Sequence, residues 1–507
     1  MKVVDSRVMT AIDRRAQEEF GFPGIVLLEN AGLKSYLLLK ERLWEDRLPS
    51  GLVVFAVGKG NNGGDGLVIA RQCFLEGKRD LAIVCAASPD QVQARMCERL
   101  GIPIYRWDQA AARTAIGSAA TLFDGITGTG IEGALKEPYS GLVEAINQSP
   151  AVKVAIDVPS GVGDSYRPGF PAVRADYTLT MGLPKLCLYL PHARPLCGEI
   201  WVVPLGFPPR LVEAPELPGE MLDWSTARID LPALPPEAYK NRRGSLGVFA
   251  GAPGTTGAAV LAASAAARSR AGLVSLFAEP AIYPVVASRL TSVMAKPWDP
   301  SGSPLGAIDP GSYGALLVGP GWGQSEDRLP WLEALLACGL PGVLDADGLN
   351  LLAAHPELAQ GGLGGRWILT PHPGEFARLS GVERRALMED PLPHVLSLSQ
   401  RLDAIVVLKS HVSYLAQPDG RYWILDGMNS ALGTGGSGDL LAGIIAGFLA
   451  TGATASAAAR AGVYVHHRVG RRAYEELGWF AAEELLPFIA REARLDEPAA
   501  AAGSAPR

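Results

Sequence analysis

Residues 429–443 read Asn-Ser-Ala-Leu-Gly-Thr-Gly-Gly-Ser-Gly-Asp-Leu-Leu-Ala-Gly. Gly433, Gly435, Gly436 and Gly438 free the backbone to aim N–H groups at a ligand, because glycine tolerates positive φ and has no Cβ to block approach. The apolar run 440–450 reads as a buried helix, whose N-terminus puts about half a positive elementary charge at the same point. Turned amides and a helix end make a site for a phosphate, with Ser437 inside it. Asp439 cannot serve there as a phosphate ligand, since two anions repel. It reads instead as a base aimed at a hydroxyl. The bland alternative is a glycine hinge with Asp439 as a helix cap; four glycines, a threonine and a serine in the heptad 433–439 disfavour it.

A second glycine stretch, 58–66, reads Gly-Lys-Gly-Asn-Asn-Gly-Gly-Asp-Gly. It follows a continuous apolar run, 52–57, as expected of a buried parallel strand. It precedes a helix predicted over 67–75. Strand, glycine loop, helix is the dinucleotide-binding arrangement, but the spacing is not that of a hydride-transfer fingerprint. Asn61 and Asn62 add side-chain carbonyls suited to a hard cation or a polar ligand. Two further strands end in aspartate: 121–123 leads to Asp124 and then Gly-Thr-Gly-Ile-Glu-Gly at 128–133, and 152–156 leads to Asp157-Val-Pro-Ser-Gly. Carboxyl ends of parallel strands are where such sheets bind ligands. Asn62, Asp124 and Ser160 could therefore converge as oxygen ligands of one cation, with Asp157 turned toward a substrate hydroxyl.

The elements that must position these groups are those of open α/β sheets. Helical spacing covers 7–19, and 81–84 reads as a strand. In the second half, strands over 246–250, 273–277, 315–318, 342–344, 367–370 and 405–408 end in glycine or polar residues. Those ends carry Gly-Pro-Gly-Trp-Gly at 319–323, Asp-Ala-Asp-Gly-Leu-Asn at 345–350, Pro-His-Pro-Gly-Glu at 371–375, and Lys409. His372 between two prolines reads as an exposed, rigidly placed ligand contact. Lys409 after a buried strand could neutralise a nucleotide phosphate. The alanine-rich helix 258–269 either lets something flat approach or packs tightly on its neighbours. His466 and His467 read as packing, since adjacent residues diverge on a helix.

Composition sets the frame. The chain has 507 residues, 48% of them apolar, enough for large cored domains. A net charge of −6 disfavours a nucleic-acid partner. Six cysteines without a paired spacing suit a reducing cytoplasm rather than a disulfide framework or a zinc site. No signal region opens the chain, and 440–450 is too short to span a bilayer, so no membrane role is expected. Residues 213–238 are rich in proline and acid and read as a linker; the Ala/Pro/Ser-rich tail, 493–507, reads as disordered.

The heptad Gly-Thr-Gly-Gly-Ser-Gly-Asp resembles the anion hole of ribokinase-like phosphotransferases. Taken with the motifs at 319–323, 344–350 and 369–375, it is similar to the ADP/ATP-dependent NAD(P)H-hydrate dehydratase family. The motifs at 61–65, Asp124 and 157–161 resemble the NAD(P)H-hydrate epimerase domain. The resemblance implies two three-layer α/β domains, a Rossmann-like epimerase domain over 1–212 and a ribokinase-like dehydratase domain over 239–492. It implies that Asn62, Asp124 and Ser160 bind K+. Asn61, Asn62, Gly63, Gly64, Asp65, Gly128, Thr129, Gly130, Ile131, Glu132, Gly133, Ala134 and Asp157 would contact the nucleotide hydrate. In the second domain Ala258, Gly323, His372 and Asp439 would contact it. Lys409, Ser410, His411, Val412, Ser413, Gly435, Gly436, Ser437 and Gly438 would hold the adenine nucleotide, with Mg2+. Asp439 and Asp157 are the expected catalytic groups, and a homo-oligomer is expected. The rival reading is a ribokinase-like small-molecule kinase fused to a non-catalytic nucleotide-binding module.

Overall fold

Short apolar runs form the centres of two sheets. Val53–Val57 and Leu81–Cys85 are buried at every position. They belong to a seven-stranded parallel sheet in the order Ile104–Arg106, Leu81–Cys85, Val53–Val57, Thr121–Gly125, Val152–Ile156, Tyr177–Met181, Glu199–Val203. Side chains alternate between its faces. Val53, Phe55 and Val57 enter one core, covered by the helices Ser6–Phe20, Gly24–Arg42, Asn61–Leu75 and Val92–Arg99. Val54 and Ala56 enter the other, covered by Ala110–Ser118 and Tyr139–Gln148. The strand order reverses between Val53–Val57 and Thr121–Gly125, which opens a crevice at their carboxyl ends.

The computed structural model describes residues 1–87, 91–302 and 309–495, and the chain divides into the units Met1–Gly219 and Glu220–Arg507. The second sheet has ten strands, in the order Met294–Pro297, Leu273–Ala278, Ser245–Phe249, Ala315–Val318, Gly342–Leu344, Trp367–Leu369, Ile405–Leu408, Val412–Ala416, Tyr422–Asp426, Gly219–Met221. Pairing is parallel from the first to Ile405–Leu408 and antiparallel through the next two. One face carries the helices Thr256–Arg268, Ser437–Ala450 and Ala455–Leu477. On the other, Phe249 meets Trp298, Trp322 and Trp331 at centroid distances of 6.1, 6.3 and 6.2 Å.

Three local expectations change, at a helix start, the linker and the tail, and one left open, the alanine-rich helix, is decided. The helix predicted from 67 begins at Asn61, so Gly58, Gly63, Gly64 and Gly66 serve close packing rather than turning. None has positive φ, and a Cβ on Gly63 would stand 2.0 Å from the Gly58 carbonyl oxygen. The alanines of Thr256–Arg268 pack against Ser437–Ala450: a Cβ on Gly443 would lie 2.2 Å from the Ala262 carbonyl oxygen. The stretch 213–238, expected to be a linker, contains the strand Gly219–Met221 and the helix Trp224–Arg228. An Asp223–Thr226 capping box starts that helix, and Arg460 donates to the Thr226 carbonyl at 2.9 Å. Of the tail, Ala493 and Leu495 are buried in the second core, and 496–507 lie outside the described residues. Among the described residues no helix is long and apolar enough to cross a membrane, and every cysteine is free.

Candidate active sites

In the second unit, Ser437–Ala450 starts at Gly436, whose φ of 89° is open to glycine alone without strain, and no side chain caps the helix. The unpaired amides of its first turn are thus left for a ligand. Gly438 faces Lys409: a Cβ there would be 3.5 Å from Nζ. Lys409 donates to Asp345 Oδ1 at 2.7 Å and lies 4.0 Å from Glu375 Oε2. Asp439 occupies the third position of the helix, with no such partner among the described residues. Burial, then the Asp345 carboxylate, push its pKa up to about 7, while Lys409 pulls it back. A carboxyl poised at neutrality is what a general base for a hydroxyl requires.

His372 caps the helix Pro373–Ser380. Its Nδ1 accepts the Gly374 and Glu375 N–H groups at 2.9 and 3.3 Å, which assigns the proton to Nε2. Its backbone N–H donates to Glu375 Oε2 at 2.8 Å. Burial and then Lys409 lower its pKa, so the ring is neutral. Asp347 accepts the Gly323 N–H at 2.9 Å and tells on the proton affinity of Asp439. Ala258, half-buried in the first turn of its helix, stands beside the same loop, with Thr255 Oγ1 donating to the Gly321 carbonyl at 2.7 Å.

A cavity of about 520 Å³ opens beside the helix start, lined by His372, Lys409, Ser410, His411, Ser413, Ser437 and Gly438. Its apolar wall is Leu425, Leu432, Leu441 and Val463, a size and lining that fit one mononucleotide. Three expected members are elsewhere. Val412 is buried in its strand, Gly435 is exposed, and Gly436 packs toward Leu261. Two members were missed. His466 and His467, read as packing, line the cavity; His466 Nε2 lies 3.0 Å from both Ser437 Oγ and its carbonyl oxygen. Burial pushes both rings down to about 4, so both are neutral. The signal was the stripe 463, 466, 467, 470, on which Gly470 leaves room for Leu432.

The first unit holds a cavity of about 1190 Å³ at the switch in strand order. Asn61, Asn62, Asp65, Gly128, Thr129, Gly130, Ile131, Glu132, Ala134 and Asp157 line it. Gly63 and Gly64 do not, being pressed against Gly58 and Leu28, and Gly133 gives its N–H to Ser165 Oγ at 3.0 Å. Asp157 has φ of 64°, a strained posture for a residue with a Cβ. Its Oδ1 accepts from the Met181 N–H at 3.1 Å and pairs with Lys185, a residue no motif had marked.

Beneath the cavity Ser160 Oγ meets Asp124 Oδ1, and Ser160 N–H donates to Asp124 Oδ2 at 2.7 Å. Asn62 Nδ2 donates to the Thr127 carbonyl at 2.8 Å, which also lies 3.3 Å from Ser160 Oγ. Asn62 Oδ1 is buried without a partner. Burial pushes Asp124 up to about 6. An orphaned amide oxygen, a hydroxyl, a carbonyl and one carboxylate form an all-oxygen donor set carrying a single charge. That fits a monovalent hard cation better than a divalent one.

The family described as NAD(P)H-hydrate dehydratase matches residues 246–491, and the one described as YjeF-related protein N-terminus matches 24–187. The chain is 33% identical over 511 residues to the bifunctional NAD(P)H-hydrate repair enzyme Nnr of Moorella thermoacetica, covering 96% of each. It is 34% identical over 529 residues to the Salinibacter ruber protein of the same name, covering 97% of this chain and 96% of that one. Among solved structures, the ADP/ATP-dependent NAD(P)H-hydrate dehydratase of Bacillus subtilis, co-crystallised with ATP/Mg2+, is 28% identical. It spans 54% of this chain and 98% of its own, at a TM-score of 0.49.

Proposed function

The chain belongs to the family of bifunctional NAD(P)H-hydrate repair enzymes, an epimerase joined to a dehydratase, and from that premise we propose how its residues divide the two reactions. The second unit dehydrates the S hydrate at the expense of ADP or ATP. Asp439 takes the proton of the ring hydroxyl, whose oxygen attacks the terminal phosphoryl group. The free amides at the start of Ser437–Ala450 and the helix end stabilise charge on the transferring group. Phosphate then leaves with a ring proton, restoring the double bond. His372, neutral and with Nε2 3.3 Å from Glu375 Oε1, faces the hydrate, and the cavity between Lys409 and Leu425 takes the nucleotide.

Mg2+ rides on nucleotide phosphates with one or two carboxylates, and Asp345 and Glu375, both at Lys409, would hold it. When bound it spreads the phosphoryl charge. In the first unit, Asn62, Asp124, Ser160 and the Thr127 carbonyl would hold K+, which when bound offsets the buried Asp124 charge and fixes the loop 127–134. There the R and S hydrates interconvert, with Asp157 at the hydroxyl.

The observation that carries the reading is Asp439: a half-buried carboxyl with its pKa pushed up to about 7, in the first turn of a helix that no side chain caps, beside a mononucleotide-sized cavity. Incubation of the S hydrate with ADP tests it. Reduced nicotinamide, AMP and inorganic phosphate in equal amounts are expected. A stable phosphoester would make the second unit a kinase.

A further inference from the structure

Resting on the reading of the first cavity as the epimerase site, we propose that Lys185 is a positioning residue for Asp157 and that Asp65 is a second carboxyl group of the reaction. Lys185 is 1% exposed, yet it lines the cavity. Its Nζ meets Asp157 Oδ1 and the Met181 carbonyl, and lies 3.2 Å from Thr180 Oγ1. The Met181 N–H also donates to Oδ1. Both donors therefore converge on one oxygen of Asp157, and among the described residues none reaches Oδ2. The carboxylate is pinned by its inner oxygen and offers the outer one to a ligand. The left-handed backbone of Asp157 is held by the same contacts.

Asp65 lines the same cavity from the second turn of Asn61–Leu75. It is buried, and among the described residues no donor and no cation of its own meets its carboxyl. A carboxyl so placed keeps its proton. Burial, then the Asp157 charge, raise its pKa well above the ordinary value, and Lys185 only partly counters them. The charged and titratable groups around the pair are Asp13 on Ser6–Phe20, Lys185 itself, and Cys187 with Asp164 behind it. One buried ammonium thus serves two carboxyls. Its bond to Asp157 decides which is the anion, leaving Asp65 the acid.

Such a pair can invert a carbon that bears a hydroxyl next to a ring nitrogen. Asp65 gives its proton to the departing hydroxyl, the C–O bond breaks, and the nitrogen lone pair forms a C=N bond as water leaves. Water adds to the opposite face while Asp157 Oδ2 takes its proton, and the lone pair returns to nitrogen. Transfer of that proton from Asp157 to Asp65 resets the site, and nothing is consumed.

The full chain is assayed for interconversion of purified R and S hydrates without nucleotide, in 18O-labelled water, with thermal unfolding of the first unit as the control for folding. Lys185→Met should lower kcat about 100-fold with KM little changed. Lys185→Arg should restore at least about tenfold of it, and Lys185→Met combined with Asp157→Asn should be no slower than Asp157→Asn alone, because the lysine acts through that carboxylate. Asp65→Asn, which keeps the shape of the neutral acid and decides the matter should Lys185→Met not fold, should lose turnover and label uptake together. Wild-type kcat in either single variant, multiplicative losses in the double, or inversion with the original oxygen retained would overturn the proposal. Absence of interconversion in the wild type would instead remove the epimerase reading beneath it.

Discussion

Replacing Asp439 by asparagine should destroy dehydration while making the second unit more stable at alkaline pH. The folded carboxyl has its pKa displaced from 3.8 to about 7, so its ionisation inside the fold costs on the order of 4 kcal/mol. Below about pH 4 both folded and unfolded chains hold the proton, and the group costs nothing. As pH rises the unfolded chain releases it first, so stability falls through the interval and the whole cost is present above about 7. Asparagine carries no such cost. Its thermal midpoint should exceed that of wild type by on the order of 5 °C at about pH 8.5 and match it near pH 4. Turnover should fall about 10²- to 10⁴-fold, roughly 3–5 kcal/mol of barrier. In wild type the base must be ionised to act, so kcat should climb with pH and level off above about 7. Scanning calorimetry at both pH values, and the return of reduced-nicotinamide absorbance from S hydrate and ADP, measure the two halves of the claim. Undiminished dehydration would refute the role of Asp439. A variant less stable than wild type at alkaline pH would refute the electrostatics.

Lys409→Met leaves the buried Asp345 carboxylate unpaired, which should lower stability by about 3–5 kcal/mol in thermal unfolding and raise KM for the nucleotide. It also removes a charge that lowers the Asp439 pKa, so whatever turnover remains should have its alkaline plateau moved to higher pH. Gly438→Ala places a methyl 3.5 Å from Lys409 Nζ, an ordinary contact, so the chain should melt like wild type while KM for ADP rises at least about tenfold. The thermal midpoint of the first unit should rise with added KCl by mass action and hardly with LiCl; in Asp124→Asn the difference should vanish.

The strand ends were legible because a buried parallel strand must be apolar throughout, and the first polar residue after it marks the edge of the sheet where ligands bind. That places Asp124, Asp157, Asp345, His372 and Lys409 from pattern alone. Pattern could not show what a glycine is for. Gly436 turns the chain, whereas Gly63 and Gly443 admit a neighbouring backbone, and only the partner across the gap distinguishes them. Lys185 was invisible because nothing in Gly-Leu-Pro-Lys says that the chain after Tyr177–Met181 folds back on the end of the preceding strand. The Thr127 carbonyl was out of reach for the same reason, being backbone. Gly219–Met221 escaped because a three-residue edge strand carries too few alternations to rise above its proline-rich flanks.

Both units meet one electrostatic problem with similar means. Each sets more carboxyls than cations at the carboxyl ends of a parallel sheet and buries one lysine among them. Lys185 is given to Asp157 and Lys409 to Asp345, so in each site a surplus carboxyl is driven toward its neutral form by burial and by the anion beside it. What differs is where the surplus carboxyl lies on its helix. Asp439 is third in Ser437–Ala450, half-buried in the first turn, where the helix end favours its anion. Asp65 is fifth in Asn61–Leu75, buried and two positions beyond the free amides, since Gly64 N–H already donates to the Gly60 carbonyl at 3.1 Å, and receives none of that help. Asp439 therefore comes to rest near neutrality, where it can accept a proton from a hydroxyl, while Asp65 stays an acid and can only give one. Depth of burial, together with place along the helix, separates the chemistry of dehydration from that of inversion.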